Sequence, residues 1–381
     1  MKSSTSNFLV QHFSDYYQKI QLVAPSSLDQ REWGFVMFEP DVTSFKMRRH
    51  IGFSKDDNLF KYVKTQTPRH SFYSTAYYEI PNAENMQEKI WLGADLIFDL
   101  DADHLMKGPY DQMLARVKEE TEKLLSMLIV EFGIDTKTIE LVFSGGRGYH
   151  VHVKDVTFRQ WNSTERRELI DYVCGIGIEP AAMFSGKKPV DPGWKMRYHT
   201  TLMEHLSWIG NMKNEDAISY LTKFEGVGKD SAATFLKNLK EITNIVENHP
   251  PANIILKNKI INAILTQQDG DFKKRLLSHA ALADEPVTTD TKRLIRMPTS
   301  LHGGSGMQVQ SLEIKKLHDF DPLVDAVVFS TKDTKIDLTI EKPNQITVPM
   351  LGNSYVVNKG VNIVPEAVAI FLCCRGMAEI V

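Results

Sequence analysis

The chain has 381 residues, 42% of them hydrophobic, and a formal charge of −3, which suffices for one large domain or two ordinary ones with a packed core. Three cysteines, Cys174 and the adjacent Cys373 and Cys374, exclude a disulfide framework and the paired spacing of a structural zinc site, and read as buried thiols of a reducing compartment. The near-neutral balance argues against a surface that coats nucleic acid broadly, so any polyanion contact is focal. The N-terminus lacks the order of a signal peptide, and the longest apolar run, VAIFLCC from Val368, is too short to span a bilayer; a cytoplasmic or nuclear protein without membrane association is expected.

In chain order, REWGFVMF from Arg31, IWLGADLIFDLDAD from Ile90 and IELVFSGGRGYHVHV from Ile139 alternate like strands. Between the last two, the segment from Tyr110 to Gly133 has helical periodicity, with Met113, Val117, Leu124 and Leu128 on one side and the glycine as stop signal. The stretch 206–282 has no alternating run and reads as a helical insertion. Within it, FEGVGKDSAATFL from Phe224 resembles a helix-hairpin-helix turn, though an ordinary glycine turn starting a helix explains it as well. RLIRMP from Arg293 and MQVQSLEI from Met307 are further strands, and the apolar segment 363–374 is a core helix. The fold class is therefore α+β: a discontinuous core over 1–205 and 283–381, with the helical subdomain 206–282 between its parts.

The stretch DLIFDLDADH, from Asp95, carries the most chemistry. Alternation places Asp95, Asp99, Asp101 and Asp103 on one face and Leu96, Phe98, Leu100 and Ala102 on the other. Carboxylates two residues apart stand roughly 6–7 Å from each other, a repulsion of about 2.5 kcal/mol per pair at an effective dielectric near 20. Divalent cations with oxygen ligands offset this best, which makes Asp99 and Asp101 candidate metal ligands. Asp103, the outermost acid, suits a helix cap equally well.

In LVFSGGRGYHVHV the glycines permit a tight turn, while Ser144 and Arg147 offer donors to phosphate. His150 and His152 share a face of the next strand, where they suit either zinc, as in a metallohydrolase, or a triphosphate. The stretch DEPVTTDTKRLIRMPTSLHGG adds Asp284, Arg293, Arg296 and His302. Two acids on one strand, a distant third and several cations fit two-metal phosphoryl transfer better than a mononuclear zinc site.

These blocks, together with REWGF and MRRHIGF near the N-terminus, resemble in their order the catalytic small subunit of archaeal and eukaryotic DNA primases, the archaeal members most closely. The resemblance implies an RNA-recognition-like catalytic core and a nucleotidyltransferase that starts RNA primers de novo on single-stranded DNA from nucleoside triphosphates, using Mg²⁺ or Mn²⁺. By motif, it implies that Asp99, Asp101 and Asp284 are the catalytic metal ligands. Ser144, Arg147, His150, Arg296 and His302 would contact the triphosphate, and Glu32 and Arg49 match positions tied to nucleotide binding and initiation. It also implies a large-subunit partner carrying an iron-sulfur cluster, and a cytoplasmic location if archaeal or nuclear if eukaryotic.

Two departures stand out. The family's cysteine-rich zinc knuckle has no counterpart after the acidic strand, so a plain helical connection and no zinc are expected. Gly146 stands where eukaryotic members carry arginine, leaving more of the phosphate work to Arg147. The rival readings are a repair or mobile-element polymerase of the same superfamily, a catalytically silent nucleic-acid-binding subunit, and the zinc hydrolase around His150 and His152. The lack of an aromatic ladder counts against the silent subunit.

Overall fold

In the computed structural model, residues 2–38, 46–184, 192–248, 252–267 and 270–381 are described. They form a mixed α+β fold whose sheets are antiparallel throughout. Two compact units divide the chain: 1–122, 135–167 and 283–381 form the first, and 123–134 and 168–282 the second. The expected insertion 206–282 lies wholly in the second unit, which also takes in 123–134 and 168–205.

Two four-stranded sheets dominate the first unit. One has the order Met47–Ile51, Trp33–Val36, His70–Ser74, Leu294–Arg296; the other Gln310–Leu312, Ile139–Phe143, Gly148–Val153, Leu96–Asp101. The central strands His70–Ser74 and Gly148–Val153 are buried on both faces, and in the edge strand Leu96–Asp101 the run LIF is buried while Asp99 and Asp101 are half-buried. Where the sheets meet, the Thr75 amide donates to Arg293 O and the Asp95 amide to Thr75 O, at 2.8 and 3.0 Å.

The run expected as one strand from Ile90 is in fact two. Trp91–Ala94 pairs with Ala76–Tyr78 in a hairpin, and Leu96–Asp101 belongs to the larger sheet. Asp95 marks the break. It lies outside the strand, 2% exposed, with its carboxylate on Arg31 Nη2 at 2.8 Å and on the Tyr77 hydroxyl at 2.7 Å. Arg166 donates to the Ala94 and Asp95 carbonyls, both at 2.9 Å. The expectation that Asp95, Asp99, Asp101 and Asp103 share one face of a single strand is therefore corrected: Asp95 is an interior anchor, neutralised by an arginine 64 residues away.

The helix expected from Tyr110 spans Tyr110–Ser126 and ends in a π-helical turn, Met127–Glu131, with Gly133 in the left-handed region. A smaller sheet, Gly360–Pro365, Asp333–Leu338 and Ala378–Ile380, packs on the helix Glu366–Cys374. The expected core helix thus starts at Glu366, and Ile363 belongs to the preceding strand and is exposed. Cys174, Cys373 and Cys374 are buried and not joined in disulfides, with the Cys174 thiol donating to Ala281 O at 3.4 Å.

The described part of the second unit is helical between Trp194 and Leu277, and its core gathers Trp194, Tyr198, Leu202, Leu206, Tyr220 and Phe235 among others. The hairpin-like segment forms the helices Asn214–Leu221 and Lys229–Lys237, joined by a turn in which Phe224 and Val227 are buried and Gly226 has φ +80°. No described helix is long and apolar enough to cross a membrane.

Candidate active site

The strand Leu96–Asp101 pairs with Gly148–Val153 so that Asp99 opposes His150 and Asp101 opposes Gly148. This register brings the acids beside the turn 144–147. From the other sheet, Phe72 opposes Arg296. Together these residues line a cleft of about 230 Å³, bounded by Asp99, Asp101, Ser144, Arg147, His150, Arg296 and His302, with Phe72 and Arg293.

Asp284 precedes the short helix Glu285–Thr289, and its amide donates to Asp99 O at 2.8 Å, so the third acid is tied to the acidic strand through the backbone. Among the described residues neither Asp101 nor Asp284 forms an ion pair, and Asp99 has only His150 Nε2 at 3.6 Å. Burial, then Asp101 and Asp284, push the Asp99 carboxyl up to about 7, with Arg293 and Arg296 opposing. Burial holds His150 well below its usual range, reinforced by His152, Arg296 and Arg293. The Asp99–His150 contact is therefore no ordinary ion pair at neutral pH.

Asp101, rather than Asp103, caps the next short helix: its carboxylate accepts from the Asp103 amide at 2.9 Å. Asp103 pairs instead with Arg147. The reason is register, since Asp101 ends the strand at the N-cap position and its side chain reaches the amide of the second helical residue, while the first, that of Ala102, donates to Arg147 O.

In the turn, Gly145 has φ +73°, and the Ser144 hydroxyl accepts from the Gly146 and Gly148 amides, both at 3.3 Å. A Cβ at Gly146 would stand 3.0 Å from His302 Nε2, so His302 occupies the space over this glycine. The His302 Nδ1 accepts from the Gly304 amide at 3.1 Å, leaving Nε2 as the N–H donor. Burial, with Arg296 next in weight, keeps this ring neutral. Arg296 is lowered to about 10 by burial, against the pull of Asp99 and Asp101, and so remains cationic.

Glu32 and Arg49 stand apart from the cleft. Glu32, fully buried, accepts from Arg49 Nε at 3.0 Å and from the His50 amide at 3.2 Å, with Lys89 Nζ at 3.8 Å. His152 also does not line the cleft; it is buried, and its ring stacks on Tyr73 at 6.4 Å. Sequence reasoning passed over Phe72 and left Arg293 without a role. Phe72 sits in a fully buried strand with no alternation to mark a cleft-facing residue, and Arg293, three residues before Arg296, falls on the opposite face by strand alternation, so its spacing did not mark it for the cleft.

Against this geometry, the sequence profile of the DNA primase small subunit matches residues 98–314, the span that holds Asp99, Asp101 and Asp284, the glycine turn and the basic cluster. The chain is 57% identical over 380 residues to the DNA primase small subunit PriS of Methanoregula boonei, covering all of both chains. It is 50% identical to PriS of Methanosphaerula palustris and 47% identical to PriS of Methanospirillum hungatei, covering all of this chain and 99% and 98% of theirs. The chain belongs to the DNA primase small subunit family. Membership in this family makes it a primase catalytic subunit, a nucleotidyltransferase-type enzyme of DNA replication.

Among the described residues no group of three His, Cys, Asp or Glu side chains is preset as a metal cage. An Asp99 carboxyl whose proton affinity is raised by burial and by Asp101 and Asp284, beside a basic wall, nevertheless fits Mg²⁺ or Mn²⁺, which take one or two carboxylates and complete their shell with water and substrate phosphate.

Proposed function

We propose that this chain synthesises RNA primers de novo on single-stranded DNA by two-metal nucleotidyl transfer, with Asp99, Asp101 and Asp284 as catalytic carboxylates. The observation that carries the proposal is the cleft itself, in which acids without ion-pair partners face Arg293, Arg296, His302 and the 144–147 turn. In a primase small subunit, that juxtaposition suits a nucleoside triphosphate whose phosphates bridge the anionic and cationic walls.

Bound Mg²⁺ or Mn²⁺ would supply activation of the primer 3′-hydroxyl and charge neutralisation on the leaving pyrophosphate. The chain's own residues do the rest by position. Asp99, Asp101 and Asp284 hold the cation. Arg296 and Arg147 present N–H donors to phosphate oxygens, and His302 donates from Nε2 as a neutral ring. His150 stands next to Asp99 and fixes its orientation across the strand pair. Glu32 and Arg49, clasped together outside the cleft, act in initiation through the second nucleotide.

On this reading the first unit is the catalytic core and the second an accessory subdomain. The partners are template DNA, nucleoside triphosphates and a large subunit with an iron-sulfur cluster, and the setting is the cytoplasm. The test is incorporation of labelled nucleoside triphosphates on unprimed single-stranded DNA with varied divalent metal, with and without a large subunit. Dinucleotide formation that vanishes in Asp99→Ala is expected; extension of supplied primers only would favour the repair-type alternative.

A further inference from the structure

Arg296 poses a physical problem. It lies beside two carboxylates, Asp99 and Asp101, that pull on its proton affinity, yet among the described residues it forms no ion pair with either. A guanidinium left free beside two partly buried carboxylates would be expected to close on them. Such a collapse would cost the cleft both its cation-holding and its anion-holding wall.

What holds Arg296 back is on the neighbouring strand. The Nη1 of Arg296 donates to His70 Nδ1 at 2.7 Å, and the Gly303 amide donates to the same nitrogen at 3.2 Å. A ring nitrogen that takes two N–H donors carries no proton, so His70 is the neutral tautomer with its hydrogen on Nε2. Its burial beside Arg296 and Arg69 favours the same neutral form. Arg69 Nε donates to the Gly303 carbonyl at 3.0 Å, so residues 69 and 70 grip both backbone polar groups of Gly303. The His302 ring lies edge-on to that of His70, 5.1 Å between centroids. One imidazole thus fixes Arg296 and the His302 turn relative to each other.

We propose that His70 is a positioning residue that tethers Arg296 away from Asp99 and Asp101, keeping the carboxylates open to a divalent cation and the guanidinium open to phosphate. The proposal rests on the metal-and-phosphate reading of the cleft given above.

The test uses the full chain and two measurements, calorimetric binding of Mn²⁺ alone and steady-state nucleotide incorporation. Removing the acceptor in His70→Leu is expected to weaken Mn²⁺ binding about tenfold or more, as for other residues that orient a ligand set, and to raise the nucleotide KM more than it lowers kcat. His70→Asn places Oδ1 where Nδ1 stood and is expected to stay within about threefold of the parent. His70→Gln, whose acceptor is displaced by one bond, should behave as His70→Leu and serves if the leucine variant does not fold. Adding Arg296→Met to His70→Leu should restore Mn²⁺ binding, because nothing is left to collapse on the acids. Parent-like Mn²⁺ binding in both His70→Leu and His70→Gln, or no recovery in the double variant, would overturn the proposal. Asp99→Asn separates the two levels: parent-like Mn²⁺ binding there sinks the reading of the cleft itself, whereas its loss alongside an unaffected His70→Leu sinks only the tether.

Discussion

Asp99→Asn should stabilise the metal-free protein at neutral and alkaline pH while destroying its activity. In the fold the Asp99 carboxyl is pushed up from the ordinary 3.8 to about 7, by burial and then by the charges of Asp101 and Asp284. The native state therefore holds a proton that the unfolded chain gives up. Stability is lost as pH rises from about 4, and the loss is complete above about 7, because in that window the unfolded state binds fewer protons. The full displacement corresponds to about 4 kcal/mol. The side chain is 22% exposed, so solvent screening reduces this to on the order of 2–4 kcal/mol. Asparagine cannot ionise and escapes the penalty. Urea unfolding in EDTA should show the variant gaining on the parent from pH 5 to about pH 7 and the difference levelling off by pH 8. Adding Mn²⁺ at pH 8 should stabilise the parent, by about 2.7 kcal/mol at a hundredfold excess over Kd, and the variant far less. Parallel stability curves for the two proteins across that pH range would refute the electrostatic reasoning.

Other outcomes follow from the same geometry. Asp101→Ala and Asp284→Ala should abolish dinucleotide formation on single-stranded template, with circular dichroism and melting close to the parent. Asp95→Ala should instead destabilise the fold by about 3–5 kcal/mol, by leaving Arg31 buried and uncompensated, which thermal melting reads directly. Gly303→Ala should disrupt the turn, because its Cβ would stand 2.6 Å from the Arg69 carbonyl oxygen; a variant with parent-like melting and nucleotide KM would contradict this. Chelation with EDTA should silence incorporation, and Mg²⁺ or Mn²⁺ should restore it.

The acidic strand shows what was legible beforehand. Alternation found Asp99 and Asp101 because a residue spaced by two from another must share its side of the sheet. The same rule misplaced Asp95, because the chain breaks there into two separately paired strands and the interior arginine that neutralises it comes from elsewhere in the sequence. For Asp103 the sequence leaves capping and metal binding both open, and only the register of the strand end decides that Asp101 is the acid that reaches the helical amide. His302 could be singled out by motif, whereas His70 could not. It lies in an all-buried strand, and its role exists only because an antiparallel pairing sets that strand beside Leu294–Arg296. Glu32 and Arg49 were named as a pair by resemblance, and the structure sets them in contact but outside the cleft.

The clasp between the two turns has a consequence for how the protein comes into being. Ser305 Oγ donates to the Gly145 carbonyl across 160 residues of chain, and Gln310–Leu312 adds the edge strand beside Ile139–Phe143. The ribosome delivers the acids of the 96–101 strand early and the residues that close the cleft over them late. Such long-range closure is slow to form, and a nascent chain halted short of residue 293 holds Asp99 and Asp101 without Arg293, Arg296 and His302 opposite them. Competence for transfer is thus withheld from incomplete chains by the order of synthesis alone.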